Sequence, residues 1–328
     1  MTTALHILTI CRSVDKEVLS NWRLNRLYKG VKMRAYLQEY LQKYGFGAEA
    51  EEVALSAFDR IGERALQELC DLYVDDAEFR FESLTEKIET IAKESDVHTY
   101  TAYFVGMVFL IRKLGEFYKK RGYPEMVFDG VCRDLSYKYR ECRSAKERVG
   151  IFDWAWYECF LTMGCFALGR LQFERKGFRL PKYEKDGKTV EFDERVLSVH
   201  IPSAGRLLKE DCDQSYQMAV EFFSKYFADE FQKAYIPFVC WSWLLYTRNP
   251  EIVPAGSNIL TFMEKYDIIE IEEYGKETSD TLACERIFGI PDLNREIPQK
   301  TAMQRSVYAF MQKGGRFGWG YGVFFLSK

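Results

Sequence analysis

The stretch Gly169-Arg170-Leu171-Gln172-Phe173-Glu174 marks the point at which the pattern of this sequence changes. Its apolar side chains alternate with polar ones, which is the two-residue period of a half-buried strand. Residues 195–201 alternate in the same way, and the aromatic and branched run at 238–245 predicts a buried strand. Between these two, the apolar spacing predicts a helix over residues 209–227. The sequence therefore predicts a mixed α/β region from residue 169 onward.

The rest of this region is predicted as helix, strand, helix and strand, over residues 258–266, 268–272, 303–312 and 317–326. Ser257 is expected to cap the first of these helices. The glycines at 314–322 are similar to a phosphate-binding loop, but they lack its Lys-Ser/Thr pair and its following helix. We favour a bent strand whose glycines allow another backbone to approach closely.

The N-terminal half has helical spacing nearly throughout, from about residue 15 to residue 167. Three apolar stripes stand out, within residues 33–44, 55–73 and 100–118. Tyrosines recur in these stripes, as they would in a ligand site, but apolar helix faces are far more often packed core. We therefore predict an α+β protein with two domains. A helical N-terminal domain covers residues 1–150, and a mixed α/β C-terminal domain covers residues 151–328.

The composition limits the partners of the chain. The 328 residues include 46 Lys plus Arg against 49 Asp plus Glu, and the sequence contains no long run of basic residues. Both observations argue against nucleic acid as a partner. The nine cysteines show no CxxC spacing, so we expect reduced, packed thiols and no metal site.

The apolar runs argue against a membrane protein. Residues 103–111 are too short to cross a bilayer, and residues 152–169 contain Asp153 and Glu158. Residues 1–12 lack the basic start and cleavage site of a secretory signal. We therefore expect a cytoplasmic protein.

Several segments of the chain are similar to those of a known family. They are Phe152-Asp153-Trp154 with Trp156, residues 169–174, His200-Ile201-Pro202, Cys240-Trp241-Ser242-Trp243-Leu244-Leu245 and Ser257-Asn258-Ile259-Leu260. These segments resemble signature stretches of bacterial acyltransferases with a GNAT-like C-terminal domain. The helical half resembles the N-terminal domain that accompanies it, notably at residues 118–134. The resemblance implies a central sheet that splays open between two parallel strands, at 195–201 and 238–245, with acyl-CoA (acetyl-CoA) as co-substrate.

In this family the donor pairs with the first splayed strand, and its pyrophosphate lies at the start of the following helix. The resemblance therefore implies that cofactor contacts come from Val199, Ile201, Ser203, Ala204, Gly205, Arg206, Leu207 and Ser242. The loop departs from the family pattern because it offers one glycine, and the helix begins with Glu210, Asp211 and Asp213. Carboxylates there repel a phosphate, whereas Arg206 and Lys209 offset the repulsion.

His200 and Glu174 are the candidate catalytic residues. His200 ends the first splayed strand, on the face opposite its apolar side chains, where an imidazole can take a proton from an ammonium. The alternative is a structural histidine that bonds a neighbouring backbone group and holds the turn after it. Glu174 shares a strand face with Arg170 and Gln172, and this polar row is either the lining of an acceptor pocket or a solvated face with an Arg170–Glu174 ion pair.

Two further residue patterns bear on the chemistry. Many family members carry a tyrosine on the helix after the second splayed strand, which protonates the leaving thiolate. Here Phe262 or Met263 falls at that position, and Tyr266 comes about one turn later. Cys240 and Ser242 alternate on one strand face but have no visible partner for nucleophilic catalysis, so core packing explains them better.

Two functions from different classes are consistent with these residues. The first is an acyl-CoA-dependent N-acyltransferase that acts on an amine of a small molecule or peptide. The second is a catalytically inactive GNAT-like module that binds a ligand or a protein, which the acidic helix start and the missing tyrosine favour. A purely structural role has no positive support. A fold alone does not decide between them.

Overall fold

The computed structural model describes residues 33–76 and 79–328. The features expected of residues 1–12, and the helical spacing before residue 33, lie outside these described residues. So does Cys11, while the eight cysteines that are described form no disulfides with one another.

The described residues of the N-terminal half are helical. The helices are α1 (Met33–Lys43), α2 (Ala48–Ile61), α3 (Glu63–Leu72), α4 (Phe81–Glu94), α5 (Thr99–Lys120) and α6 (Glu125–Ala145). The predicted stripe over residues 55–73 is two helices rather than one, because Gly62 has a φ of 83° and breaks the helical path. Helix α5 is buried on all sides along most of its length and forms the centre of this half. The helical N-terminal half is thus confirmed.

The change from helix to strand comes a few residues earlier than the sequence predicts. A 3₁₀ turn (Ala155–Tyr157) and the short helix α7 (Glu158–Leu161) lead into strand β1 (Cys165–Leu168). All four residues of β1 are buried, so its sequence has no alternation that would reveal a strand. The prediction of helix up to residue 167 was therefore wrong at its end.

The C-terminal half is a mixed sheet with helices, as predicted. Its strands are β2 (Leu171–Gly177), β3 (Lys182–Lys185), β4 (Lys188–Glu191), β5 (Arg195–His200), β6 (Tyr235–Ser242), β7 (Asp267–Glu273) and β8 (Gly318–Ser327). Its helices are α8 (Lys209–Tyr226), α9 (Asn249–Ile252), α10 (Asn258–Met263), α11 (Lys276–Leu282) and α12 (Ala302–Gln312). A 3₁₀ turn (Trp243–Leu245) follows β6, and a π-helical turn (Ala283–Phe288) follows α11.

The ends of two elements and one connection differ from the sequence predictions. Strand β6 ends at Ser242, because the chain turns into the 3₁₀ segment there instead of continuing to residue 245. Helix α10 ends at Met263 rather than at residue 266. Strands β3 and β4 form a separate two-stranded hairpin between residues 182 and 191, where no strand was predicted. Asp186 and Gly187 both have positive φ at its turn, the conformation that Asp-Gly favours in hairpins.

The main sheet has the order β1-β2-β5-β6-β8-β7. Strands β5 and β6 are parallel, as predicted, and their other neighbours are antiparallel. The glycines of β8 allow close approach of other backbone segments. A Cβ at Gly318 would lie 2.2 Å from the Glu272 carbonyl oxygen, and one at Gly320 would lie 2.2 Å from that of Leu245. The prediction of a strand whose glycines allow another backbone to approach closely is confirmed at Gly318 and Gly320.

Each face of the sheet is covered by a different helix. On one face, Tyr216 of α8 packs against Phe173, Phe238 and Phe324. On the other, α6 approaches β1 so closely that a Cβ at Gly130 would lie 2.6 Å from that of Ala167. In the part of the chain that the structure describes, no helix is long and apolar enough to span a bilayer.

Candidate active site

The two parallel strands separate within the sheet. Strands β5 and β6 pair only at Leu197 with Phe238 and at Ser198 with Val239. Beyond these residues β5 continues to His200 and β6 to Ser242, with no further register between them. The sheet is therefore open from Val199 to His200 on β5 and from Cys240 to Ser242 on β6. A gap of this kind leaves main-chain groups of β5 available to an added extended chain.

The loop that follows β5 leads directly into helix α8. Arg170, predicted to line an acceptor pocket, instead reaches this loop from the turn between β1 and β2. Its guanidinium donates to the carbonyl oxygens of Pro202 (3.0 Å), Gly205 (3.2 Å) and Arg206 (3.1 Å). The suggested Arg170–Glu174 pair does not form, because the Arg170 side chain is held by the loop.

The acidic start of α8 is partly neutralised. Asp213 forms ion pairs with Lys209 of its own helix and with Lys265, which follows α10. Burial raises the pKa of Asp213, but the two lysines outweigh this effect and lower it. Among the described residues, no carboxylate bonds to the backbone N–H groups of the loop between Ser203 and Leu207. The acidic side chains at the start of α8 therefore do not bond to these amides, while the carboxylate of Glu141 on α6 lies close to the Ser203 side chain, which helps to lower the pKa of Glu141.

A cavity of about 310 Å³ lies between the start of α8 and helix α10. Its lining is apolar in part and charged in part: Leu207, Lys209, Cys212, Asp213, Tyr216, Thr261, Phe262, Glu264 and Lys265. The Tyr216 hydroxyl lies 2.9 Å from that of Tyr266, and both rings are buried. Burial raises the pKa of both tyrosines, so both hydroxyls stay protonated. Tyr216 thus brings a protonated hydroxyl, paired with that of Tyr266, to the lining of the cavity.

His200 and Glu174 come together on the sheet face opposite α8. The His200 Nε2 atom lies 2.8 Å from a Glu174 carboxylate oxygen, and Lys176 lies 3.0 Å from the same oxygen. Burial raises the pKa of Glu174, but His200 and Lys176 more than offset this and lower it. A carboxylate accepts only, so Nε2 donates to Glu174, and Nδ1 is the ring nitrogen that this pair does not use. His200 bonds to a side chain here and not to backbone, so that part of the structural interpretation was wrong.

Gln172 is too buried to contact an acceptor. Its side chain is 3% exposed and donates to Asp134 at 2.7 Å. The other oxygen of Asp134 accepts from the Trp156 indole N–H at 3.1 Å, and the Trp156 ring packs edge-on against His200, with ring centroids 4.8 Å apart. Gln172 is therefore part of a buried network that positions Trp156 beside His200, and the predicted acceptor-pocket role does not fit its location.

The other predicted contact residues are distributed around the gap. Val199 and Ile201 lie on β5 and just after it, and Ser203, Ala204, Gly205, Arg206 and Leu207 form the loop. Ser242 ends β6, where its hydroxyl accepts from the backbone N–H of Leu244 at 3.2 Å. Cys240 is fully buried, and burial raises the pKa of its thiol, which suits core packing and not a nucleophile.

Comparisons with known protein families decide what this arrangement is. Residues 35–163 match the family model described as N-acyltransferase N-terminal domain, and residues 165–324 match the GNAT-like C-terminal domain. The chain belongs to the GNAT-like acyltransferase family. The search of curated proteins found no match to this family member.

Solved structures share the fold of this GNAT-like acyltransferase. One is an acyltransferase in complex with decanoyl-CoA and teicoplanin, with a TM-score of 0.64 and 20% identity over 88% of this chain and 87% of that one. Another is an acyltransferase mutant in complex with octanoyl-CoA, with a TM-score of 0.63 and 19% identity over 88% and 86% of the two chains. At this level of identity the likeness establishes the fold.

Sequence reasoning missed three residues of the site in this family member. Asp134 comes from helix α6 and Trp156 from the 3₁₀ turn before α7. Trp156 lies in a segment that resembles the family, but no local pattern gave either residue a place beside His200. Tyr216 looks like an ordinary core residue of α8, and only the position of Tyr266 gives it a hydroxyl partner. In the described part of the chain, no group of three or more His, Cys, Asp or Glu is arranged to hold a metal ion.

Proposed function

We propose that this chain transfers an acyl group from acyl-CoA to an amine, with the reaction taking place in the gap between β5 and β6. The observation that carries the proposal is the early end of β5–β6 pairing, with a cavity between the start of α8 and α10 and the His200–Glu174 pair on the sheet face opposite α8. Donor and acceptor then approach from opposite faces, and the thioester carbonyl lies between them.

The donor is proposed to bind along the α8 face. The loop amides and the start of the helix can donate hydrogen bonds to its pyrophosphate, and the main chain of Val199 and Ile201 can form hydrogen bonds with its pantetheine arm. The apolar part of the cavity lining, from Leu207, Tyr216 and Phe262, supports an apolar acyl group longer than acetyl. The acyltransferases of similar fold in complex with octanoyl-CoA and decanoyl-CoA also support a medium chain in place of acetyl.

The His200–Glu174 pair is proposed to remove the proton from the acceptor. The amine nitrogen attacks the thioester carbonyl carbon, a C–N bond forms and the C–S bond breaks. Nδ1 of His200 takes the proton that the nitrogen loses, while the Glu174 carboxylate stabilises the resulting imidazolium. Backbone N–H groups near Val199 and Ile201 suit the oxygen of the tetrahedral intermediate.

The thiolate of CoA leaves on the α8 face. A thiol pKa near 8.5 means that a water molecule can supply the proton. The buried Tyr216–Tyr266 pair provides a protonated hydroxyl at the cavity, and Tyr216 is among the cavity-lining residues. This hydroxyl is a hydrogen-bond donor for the leaving sulfur or for the water that protonates it.

The acceptor is proposed to be a small-molecule amine. One acyltransferase of similar fold forms a complex with teicoplanin, which supports a small-molecule acceptor. The location in the cytoplasm, the lack of nucleic-acid partners and the division of the chain at residue 150 stay predictions.

Donor binding is tested first, by melting the protein with acetyl-, octanoyl- and decanoyl-CoA. A donor at 100 times its Kd should stabilise the fold by about 2.7 kcal/mol. Release of CoA thiol in the presence of a panel of amines then tests transfer, and Glu174→Gln should reduce the rate without changing donor binding. No stabilisation by any donor would contradict the proposal, and binding without thiol release would favour the inactive binding module.

A further inference from the structure

Arg170 has an unusual set of partners for a half-buried cation. All three hydrogen bonds of its guanidinium go to main-chain carbonyl oxygens of one loop, those of Pro202, Gly205 and Arg206. Burial lowers the pKa of this guanidinium, and in the described part of the chain it forms no salt bridge. The guanidinium is thus held by the loop main chain and not by a carboxylate, so its contacts act on the path of the loop.

The three bonds fix the direction of the loop amides. In a trans peptide, the C=O of one residue and the N–H of the next point in opposite directions, and the described residues contain no cis bond. Because Arg170 draws the carbonyls at 202, 205 and 206 inward, the N–H groups of Ser203, Arg206 and Leu207 point away from it. None of these three N–H groups donates to a protein acceptor within the residues that the structure describes.

The same turn is also attached to the helix that follows the loop. The Ser215 hydroxyl accepts from the backbone N–H groups of Arg170 (2.7 Å) and Leu171 (3.3 Å) and donates to the Asp211 carbonyl at 2.9 Å. The β1–β2 turn thus holds both the loop and the first turn of α8. Gly205, with a φ of 80°, supplies the one left-handed residue that this path requires.

We propose that Arg170 is a positioning residue for the donor pyrophosphate. This inference rests on the proposed function and goes beyond it. Arg170 fixes the direction of the loop amides, in place of the additional glycines that the loop lacks. Its carbonyl bonds turn three amides outward as a preformed anion cradle, and Arg170 itself does not contact the phosphate. Arg206, whose side chain is exposed on the same loop, is the residue that contacts phosphate directly.

The test compares CoA binding by calorimetry for wild type, Arg170→Met and Arg206→Ala, at about 0.01 M and about 1 M salt. We expect Arg170→Met to weaken binding by about 10- to 100-fold, roughly the worth of one charge-assisted hydrogen bond. This loss should be the same at both salt concentrations, because it reflects lost backbone order. The loss in Arg206→Ala should shrink at high salt, because it reflects a screened charge.

Wild-type affinity in Arg170→Met would overturn the inference. So would a loss that disappears at high salt, since Arg170 would then act as a charge. Melting of the apo proteins reports whether each variant folds. If Arg170→Met does not fold, Arg170→Lys keeps the charge and one donor nitrogen, and it should fold with an intermediate affinity. Wild-type affinity in that variant is equally contradictory. Failure of the wild type to bind CoA would refute the proposed function itself.

Discussion

The two edges of strand β6 differ sharply. On one edge, β6 pairs with β8 over its full length, from Tyr235 with Ser327 to Ser242 with Gly320. On the other edge it pairs with β5 at two positions only. The glycines of β8 allow the dense packing behind the paired edge, while the open edge leaves backbone groups unpaired. The paired edge therefore provides the stability that keeps the other edge open for a ligand.

This comparison predicts the largest effect at the open edge, from His200→Ala. Loss of the general base should lower kcat by about 100-fold or more, with donor affinity unchanged. The rate of thiol release with a saturating amine is the measurement. His98→Ala is the matched control, because His98 caps helix α5 by accepting from the Tyr100 N–H and lies in the helical half. Unchanged kcat in His200→Ala would remove the catalytic role from the open edge.

A change at the paired edge should lower the free energy of unfolding and leave the rate of acyl transfer of the folded protein unchanged. In Gly320→Ala the added Cβ would lie 2.2 Å from the Leu245 carbonyl oxygen, so the backbone must shift. We expect a loss of about 1–3 kcal/mol in the free energy of unfolding, measured with urea. Gly275→Ala, where a Cβ meets nothing within 4 Å at a φ of −58°, should be neutral. Equal stability of both variants would contradict the tight packing behind β8.

The loop at the end of the open edge should respond in affinity. Gly205→Ala strains a left-handed residue by about 1–2 kcal/mol, and this strain disturbs the amides that face the donor. We expect CoA to bind several-fold more weakly. Gly187→Ala, at the β3–β4 turn with a φ of 71° and equally open surroundings, is the matched control. It should melt at a similarly reduced temperature but bind CoA normally; weaker binding in both would point to a general loss of stability.

The smallest effect should be a gain. Asp213→Ala removes a negative charge near the start of α8 and releases Lys209 and Lys265, so CoA affinity should rise by about 2- to 5-fold. Glu221→Ala, an exposed change farther along the same helix, should have no effect. A decrease in affinity for Asp213→Ala would indicate that Asp213 orients the lysines for the donor.

The fold was largely predictable because the spacing of apolar residues that marks a strand or a helix is visible within a short stretch of sequence. The alternation in residues 169–174 and 195–201 predicted two strands, and both are present in the sheet. Strand β1 was hidden because both of its faces are buried, so it does not alternate. The β3–β4 hairpin was missed because most of its residues are polar and exposed, although Asp186-Gly187 was a usable turn signal.

The site was predictable only where its residues share neighbouring strands. His200 and Glu174 were both identified, and the β2–β5 register brings them together. Arg170 and Gln172 were assigned to a polar row because alternation places them on one strand face. Their actual partners, the loop after β5 and Asp134 of α6, are more than 30 positions away in the sequence, and local spacing carries no information about such contacts.

The central claim is that acyl-CoA occupies the open edge between β5 and β6. Amide hydrogen exchange, measured by mass spectrometry with and without decanoyl-CoA, tests it most directly. We expect the amide hydrogens of residues 199–207 to exchange more slowly when the donor is bound, and those of the β3–β4 hairpin to exchange at an unchanged rate. Donor binding without protection of residues 199–207 would contradict the account.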